Sequence, residues 1–135
     1  MKTKDEYVAE HFPVVNPGCR PCGNQVLVQF RSMKTVSKGG IVLASETREF
    51  NNGNTQLARV VSLGQIAYRD RNTGEEWKEK AWANVGDIVI VPRWSGFRVE
   101  VPIPGSEDKA IFAIFEDFNM KMVVDSNFEQ FDTLL

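Results

Sequence analysis

Few residues in this 135-residue chain have the types and spacing that support catalysis or metal binding. The only two cysteines, Cys19 and Cys22, have the C-x-x-C spacing of half a zinc site or of a redox motif. A structural zinc site needs four ligands, and the only histidine in the sequence is His11. A thioredoxin-like pair opens a helix, whereas residues 25–28 (QVLV), directly after the cysteines, are typical of a strand. We therefore expect two incidental thiols and no metal site.

Candidate catalytic groups are equally sparse. One histidine in a polar leader is a poor basis for acid–base catalysis. The acidic pairs Glu75-Glu76 and Glu107-Asp108 lie in loop-like stretches, where solvation is a sufficient explanation for them. The sequence contains neither a P-loop nor a G-x-G-x-x-G motif. We predict no catalytic residues, no cofactor and no enzymatic activity.

Composition limits the remaining functional classes. The length suits one domain, and 42% hydrophobic with 25% charged residues is ordinary for a globular protein. The net charge of −2, from 16 basic and 18 acidic residues, argues against a nucleic-acid binder that relies on phosphate contacts. No apolar run approaches the ~20 residues of a membrane span, and the N-terminus lacks the apolar region of a secretory signal. We expect a cytoplasmic protein that binds neither nucleic acid nor membrane.

The elements that must position any site are short strands. Val26, Val28 and Phe30 fall on one face of a strand over about 25–31, with Leu27 on the other face. Further strands are predicted over 57–63, 88–91, 97–101, 110–115 and 120–124, with a hairpin turn near residues 72–74. Residues 1–18 read as a separate leader. The pattern predicts an all-β fold, a small irregular barrel or sandwich.

One long stretch interrupts these strands. Residues 32–54 show no sustained period of 2 or 3.6 and contain the breakers Gly39-Gly40. A connection of this length inside a compact domain is unusual and is often functional. Its one apolar island is Ile41-Val42-Leu43. By composition the island is either a short buried strand or an exposed recognition segment that waits for a partner.

The segment Lys38-Gly39-Gly40-Ile41-Val42-Leu43 resembles the loop of GroES-type co-chaperonins that docks on a large chaperonin ring. Other segments support this resemblance in the family's order. Arg20-Pro21 followed by a strand is similar to its opening, and the stretches 59–64 (RVVSLG) and 85–90 (VGDIVI) are similar to its later strands. Trp94-Ser95-Gly96 followed by Val99 resembles its aromatic turn. The resemblance covers about residues 20–124.

The resemblance implies an organisation and a mechanism. It implies a GroES-like β-barrel domain over 19–124, with a mobile loop at 32–56, a roof hairpin at 65–81, and extensions at 1–18 and 125–135. The implied chaperonin-binding residues are Gly39, Gly40, Ile41, Val42 and Leu43. The implied partners are a GroEL-type ring, further copies of this chain in a homo-heptameric ring, and an enclosed unfolded client. The strands near 25–31 and 120–124 are the expected ring-closing strands.

The chain also departs from the family's pattern. Ala58 stands where a glycine is common, Trp94 replaces a commoner tyrosine, and the hairpin segment is long. Together with the terminal extensions, these departures are similar to those of virus-encoded co-chaperonins. Two alternatives stay open: a small β-barrel that binds nucleic acid, and a stand-alone relative of the GroES-like domain of dehydrogenases, which would need further zinc ligands.

Overall fold

The computed structural model describes residues 3–31, 55–92, 97–126 and 128. Its elements, in chain order, are α1 (Lys4–His11), β1 (Gln25–Phe30), β2 (Thr55–Leu63), β3 (Ile88–Pro92), β4 (Phe97–Pro102), β5 (Lys109–Glu116), a short 3-10 helix (Asp117–Asn119) and β6 (Met122–Val124). The six strands form one antiparallel sheet in the order β4-β5-β1-β2-β3-β6. The predicted all-β fold is therefore confirmed.

The two faces of β1 are occupied as the alternation predicts. Val26, Val28 and Phe30 enter the main hydrophobic core, whereas Leu27 packs with Ala110 and Phe112 on the other side. Successive side chains of a strand point to opposite faces, so burial on both sides requires two layers of cover. The main core lies on one side, and its members from the sheet and the following turns include Val60, Tyr68, Val89, Ala113 and Phe115.

The cover on the other side includes the N-terminal segment, which the sequence analysis described as a separate leader. Tyr7 and Phe12 are 0% and 1% exposed. They share a hydrophobic cluster with five residues from the sheet and the C-terminal end, which are Leu57, Ile88, Ile90, Val124 and Phe128. The leader packs on the protein because two aromatic rings at this spacing bury a large apolar area against the sheet. We call α1 with residues 12–15 and Phe128 the terminal cap.

The expected role of β1 in ring closure is wrong. β1 pairs with β2 along one edge and with β5 along the other. A strand has only two hydrogen-bonding edges, so β1 has none left for a neighbouring subunit. Within the described ranges, the strands at the two ends of the sheet are β4 and β6. The other expected ring-closing strand, near residues 120–124, therefore keeps a free edge in this sheet.

Candidate functional site

The candidate site starts from the two strands that bracket residues 32–54. β1 and β2 are antiparallel neighbours, with Phe30 opposite Ala58. The backbone N–H of Arg31 donates a hydrogen bond to the carbonyl of Leu57 at 3.0 Å. The chain therefore leaves β1 and returns into β2 at the same end of one strand pair. We call Arg31 and Leu57 the anchor pair.

The predicted binding residues Gly39, Gly40, Ile41, Val42 and Leu43 lie outside the described residues, as does the predicted turn at 94–96. Thr55 and Gln56, which the predicted loop included, already belong to β2. The structure does place the residues packed around the anchor pair, which we call the support. Their positions determine where the predicted loop is attached to the domain.

The main-core side of the support is aromatic. Phe30, the last residue of β1, is 4% exposed and meets Phe115 edge-on with ring centroids 6.1 Å apart. The guanidinium carbon of Arg98 lies 4.5 Å from the centroid of the Phe30 ring. Cation–π contacts of this kind add to the burial of the ring. The strand that precedes residues 32–54 is therefore held by packing up to its last residue.

The other side of the support is covered by the terminal cap. Gln29 is 1% exposed, and its Nε2 donates a hydrogen bond to the carbonyl of Pro13 at 2.8 Å. Two residues further along the same face, Nη1 of Arg31 donates to the hydroxyl of Tyr7 at 3.0 Å. The terminal cap therefore lies along β1 as far as the anchor pair, where Tyr7 contacts Arg31.

Sequence reasoning missed this contribution of the leader, although a local signal was present. Thr3 and Glu6 have the spacing of a capping box. The Oγ1 of Thr3 accepts a hydrogen bond from the backbone N–H of Glu6 at 3.2 Å and so caps α1. The helix ends at His11, and the N–H of the C-cap residue Phe12 donates to the carbonyl of Val8 at 2.8 Å. A capped helix with two large aromatic residues indicates a packed element.

The segment 65–81 forms a short hairpin joined by one antiparallel bridge between Arg69 and Glu76. Its turn is organised by Asp70, whose Oδ1 accepts hydrogen bonds from the N–H groups of Asn72 and Thr73 at 2.8 and 3.0 Å. The N–H of Thr73, followed by that of Asn72, lowers the pKa of the Asp70 carboxyl because both stabilise its charged form. Five charged residues at and beside this turn are exposed, namely Arg69, Asp70, Arg71, Glu75 and Glu76.

The base of this hairpin carries an aromatic cluster. Tyr68 is 1% exposed, and its ring meets those of Trp77 and Trp82 at centroid distances of 5.4 and 6.1 Å. Burial, with smaller contributions from the carboxylates of Asp117 and Asp87, raises the pKa of the Tyr68 hydroxyl well above its ordinary value. The hairpin is thus fixed to the main core at its base and exposes its charges at the tip.

The two cysteines give no support to a metal or redox site. Cys19 and Cys22 are both exposed free thiols. Among the residues that the structure describes, no group of three or more His, Cys, Asp or Glu side chains is arranged to hold a metal ion. Over the same ranges, no helix has both the length and the apolar character needed to cross a membrane.

Comparison with known proteins agrees with this geometry. The family model described as chaperonin 10 Kd subunit matches residues 18–117. A Co-chaperonin GroES of Caldicellulosiruptor saccharolyticus is 32% identical over 103 residues, covering 73% of this chain and 97% of the relative. A Co-chaperonin GroES of Caulobacter vibrioides is 33% identical over 82 residues, covering 61% and 77%. One of Acetivibrio thermocellus is 34% identical over 88 residues, covering 65% and 82%.

The match includes the anchor pair, the hairpin and five of the six strands, so it covers the features built up above. The family consists of co-chaperonins rather than enzymes, and neither the dehydrogenase nor the nucleic-acid alternative is supported. The chain belongs to the chaperonin 10 Kd subunit family and is a GroES-type co-chaperonin.

Proposed function

We propose that this co-chaperonin caps a GroEL-type chaperonin ring through Gly39, Gly40, Ile41, Val42 and Leu43 and encloses an unfolded client. The observation that carries the proposal is the anchor pair: Arg31, the last described residue before residues 32–54, is hydrogen-bonded to Leu57 in the strand that follows them. The attachment points of this segment on β1 and β2 therefore lie on the same side of the domain.

Energetics favour docking by several copies at once. Full burial of Ile41, Val42 and Leu43 contributes roughly 1.5–3 kcal/mol each. Ordering a segment costs about 1–2 kcal/mol of backbone entropy for each residue fixed, so six ordered residues offset most of that gain. One subunit therefore binds weakly, whereas linked subunits bind at high effective concentration. Each contact also stays reversible, which suits a lid that must be released.

The proposed assembly is a homo-heptameric ring, as the family resemblance implies. Because β1 is paired on both edges, it cannot contribute to the contact between subunits. β6 can contribute, since β3 occupies only one of its edges in the described sheet. Pairing across subunits would also cover an edge that otherwise invites aggregation. We therefore assign one side of the subunit contact to Met122–Val124.

The hairpin is the proposed roof. Its exposed charges (Arg69, Asp70, Arg71, Glu75 and Glu76) give it a hydrated surface. An unfolded apolar chain should bind there only weakly, because binding would remove water from these charges without replacing it. The lining of an open depression beside it contains four acidic residues together with Thr73, Lys78, Trp77 and Trp82. ATP hydrolysis belongs to the partner in this proposal, and the site of action is the cytoplasm, where such a partner folds its clients.

Native mass spectrometry tests this proposal with the full chain. Alone, the protein should give the mass of a heptamer; with a GroEL-type ring and ATP, it should give one complex that contains both rings. Ile41→Asp should keep the heptamer and lose the complex. A wild-type chain that stays monomeric, or that does not bind the nucleotide-loaded ring, would refute the proposal.

A further inference from the structure

We infer that Tyr7 is a positioning residue for chaperonin docking, because its hydroxyl holds Arg31 where the chain departs into residues 32–54. The inference rests on the proposed function, since it assigns the terminal cap a part in that same docking. It goes beyond the proposal by naming Tyr7, which lies outside residues 32–54 (the docking segment) and outside the matched part of the family. Tyr7 lies eleven positions before the family match begins.

Hydrogen bonds to two described elements, β2 and α1, hold Arg31. Its backbone N–H donates to the carbonyl of Leu57 at 3.0 Å, which joins it to β2. Its Nη1 donates to the hydroxyl of Tyr7 at 3.0 Å, which joins it to α1. One bond fixes the backbone and the other fixes the side chain. The last described residue before the docking segment therefore has a defined direction.

The Tyr7 hydroxyl is a stationary acceptor because its ring cannot move freely. The ring is 0% exposed and stacks on Phe128 with centroids 5.4 Å apart and an interplanar angle of 25°. The first residue of α1 forms an ion pair between Lys4 Nζ and Asp87 Oδ1 at 3.5 Å. The cap is also bonded to β1 through Gln29 and the carbonyl of Pro13. The cap is thus attached to the domain on both sides of Tyr7.

The consequence for docking is entropic. A bound docking segment loses conformational freedom, and that loss opposes binding. Holding Arg31 in advance removes part of the loss, because fewer residues are left to order when the partner binds. In a ring of identical subunits the effect recurs at every docking contact, so a small change in each subunit becomes a large change in overall affinity.

The first experiment compares Tyr7→Phe with Lys109→Met in the full chain. Tyr7→Phe removes the hydroxyl and keeps the ring, whereas Lys109→Met removes an exposed ion pair with Glu100, outside the terminal cap. We expect Tyr7→Phe to weaken affinity for the nucleotide-loaded chaperonin about five- to thirtyfold, with Lys109→Met near wild type. If affinity falls in proportion to the melting temperature in both variants, the inference is wrong, because the cap would then act only on stability.

A double-mutant cycle tests whether Tyr7 acts through Arg31. Arg31→Met keeps the apolar stem and removes the donor. If the two residues act through their mutual hydrogen bond, the double variant should dock no more weakly than the weaker single variant. Losses that simply multiply would overturn the inference, because each residue would then act by a separate route.

A readout in the free protein separates this inference from the proposed function. Tyr7→Phe should speed hydrogen exchange at the Arg31 amide and leave that of Val28 unchanged. Unchanged exchange at Arg31 would overturn the inference, whatever the docking result. If Ile41→Asp abolishes docking while Tyr7→Phe leaves it intact, the positioning role fails and the docking assignment stands. If Ile41→Asp docks normally, both fail.

Discussion

The backbone N–H of Tyr68 donates a hydrogen bond to Oδ2 of Asp117 across 2.9 Å, joining residues that are 49 positions apart in the chain. Tyr68 has a φ of 59°, an uncommon conformation for a residue other than glycine. Asp117 is 2% exposed, and its own N–H donates to the carbonyl of Asn24 at 3.1 Å. One buried residue therefore connects the hairpin base, the end of β5 and the turn before β1.

Asp117→Ala should lower the free energy of unfolding by about 1–3 kcal/mol, because it leaves the buried Tyr68 N–H without its acceptor. Urea denaturation of the full chain measures this loss. Asp125→Ala removes the same group from an exposed position and should change stability by less than about 0.5 kcal/mol. Equal losses in the two variants would contradict the proposed role of Asp117.

Tyr68 should make stability fall at alkaline pH. Its pKa is raised in the folded state by burial, so the folded protein keeps a proton that the unfolded chain releases above the ordinary value of 10.0. The contribution is fully present below pH 10.0 and decreases as pH rises from there toward the folded-state pKa. The measurement is the free energy of unfolding as a function of pH.

Tyr68→Phe is the matched variant for that pH series. The hydroxyl of Tyr68 is buried without a hydrogen-bond partner among the described residues, so its removal should be neutral or stabilising by up to about 1 kcal/mol. The alkaline decrease should also become shallower. An unchanged alkaline slope would show that another group dominates it.

The terminal cap should contribute strongly to stability. Phe12→Ala removes a ring that is 1% exposed and should cost about 3–5 kcal/mol. Val14, two residues away, is 96% exposed, so Val14→Ala should cost less than about 0.5 kcal/mol. Thermal unfolding of both variants checks this contrast. A Phe12→Ala protein as stable as wild type would show that the leader is dispensable for the fold.

Gly64 should not tolerate a side chain. A Cβ at this position would lie directly against the carbonyl oxygen of Gly23, and 3.0 Å from that of Gln25. Both neighbours are backbone oxygens that already accept hydrogen bonds, from the N–H groups of Ile66 and Gly64, so they cannot move aside at little cost. Gly64→Ala should destabilise the protein by about 1–3 kcal/mol, while Ser62→Ala in the same strand should not. Urea denaturation distinguishes the two outcomes.

Local pattern was sufficient for the strands but not for the leader. The alternation of Val26, Val28 and Phe30 against Leu27 predicts the two buried faces of β1, because a strand's period is independent of its partners. The burial of Tyr7 and Phe12 depends instead on Leu57, Ile88 and Phe128, which are distant in sequence. The capping box of the leader indicates a helix, but no local pattern identifies these distant contact partners. The free edge of β6 likewise follows only from the strand order.

The candidate site shows the same division. The prediction that Gly39–Leu43 are docking residues rests on the family resemblance, because their composition alone fits a buried strand as well as a recognition segment. The hydrogen bond between Arg31 and Tyr7 could not be anticipated, since it depends on how α1 packs across the sheet. The structure therefore defines the residues around the anchor pair, whereas the family resemblance alone predicts the docking residues between β1 and β2.

The most direct test of the central claim is the affinity of the Ile41→Asp protein for a nucleotide-loaded GroEL-type ring, measured beside Val14→Asp. Both variants gain one negative charge, but Val14 is an exposed residue outside the docking segment. A charge at a buried apolar contact is costly in every subunit, so Ile41→Asp should lose about a hundredfold or more in affinity while Val14→Asp binds as wild type. Wild-type affinity in the Ile41→Asp protein would contradict the account.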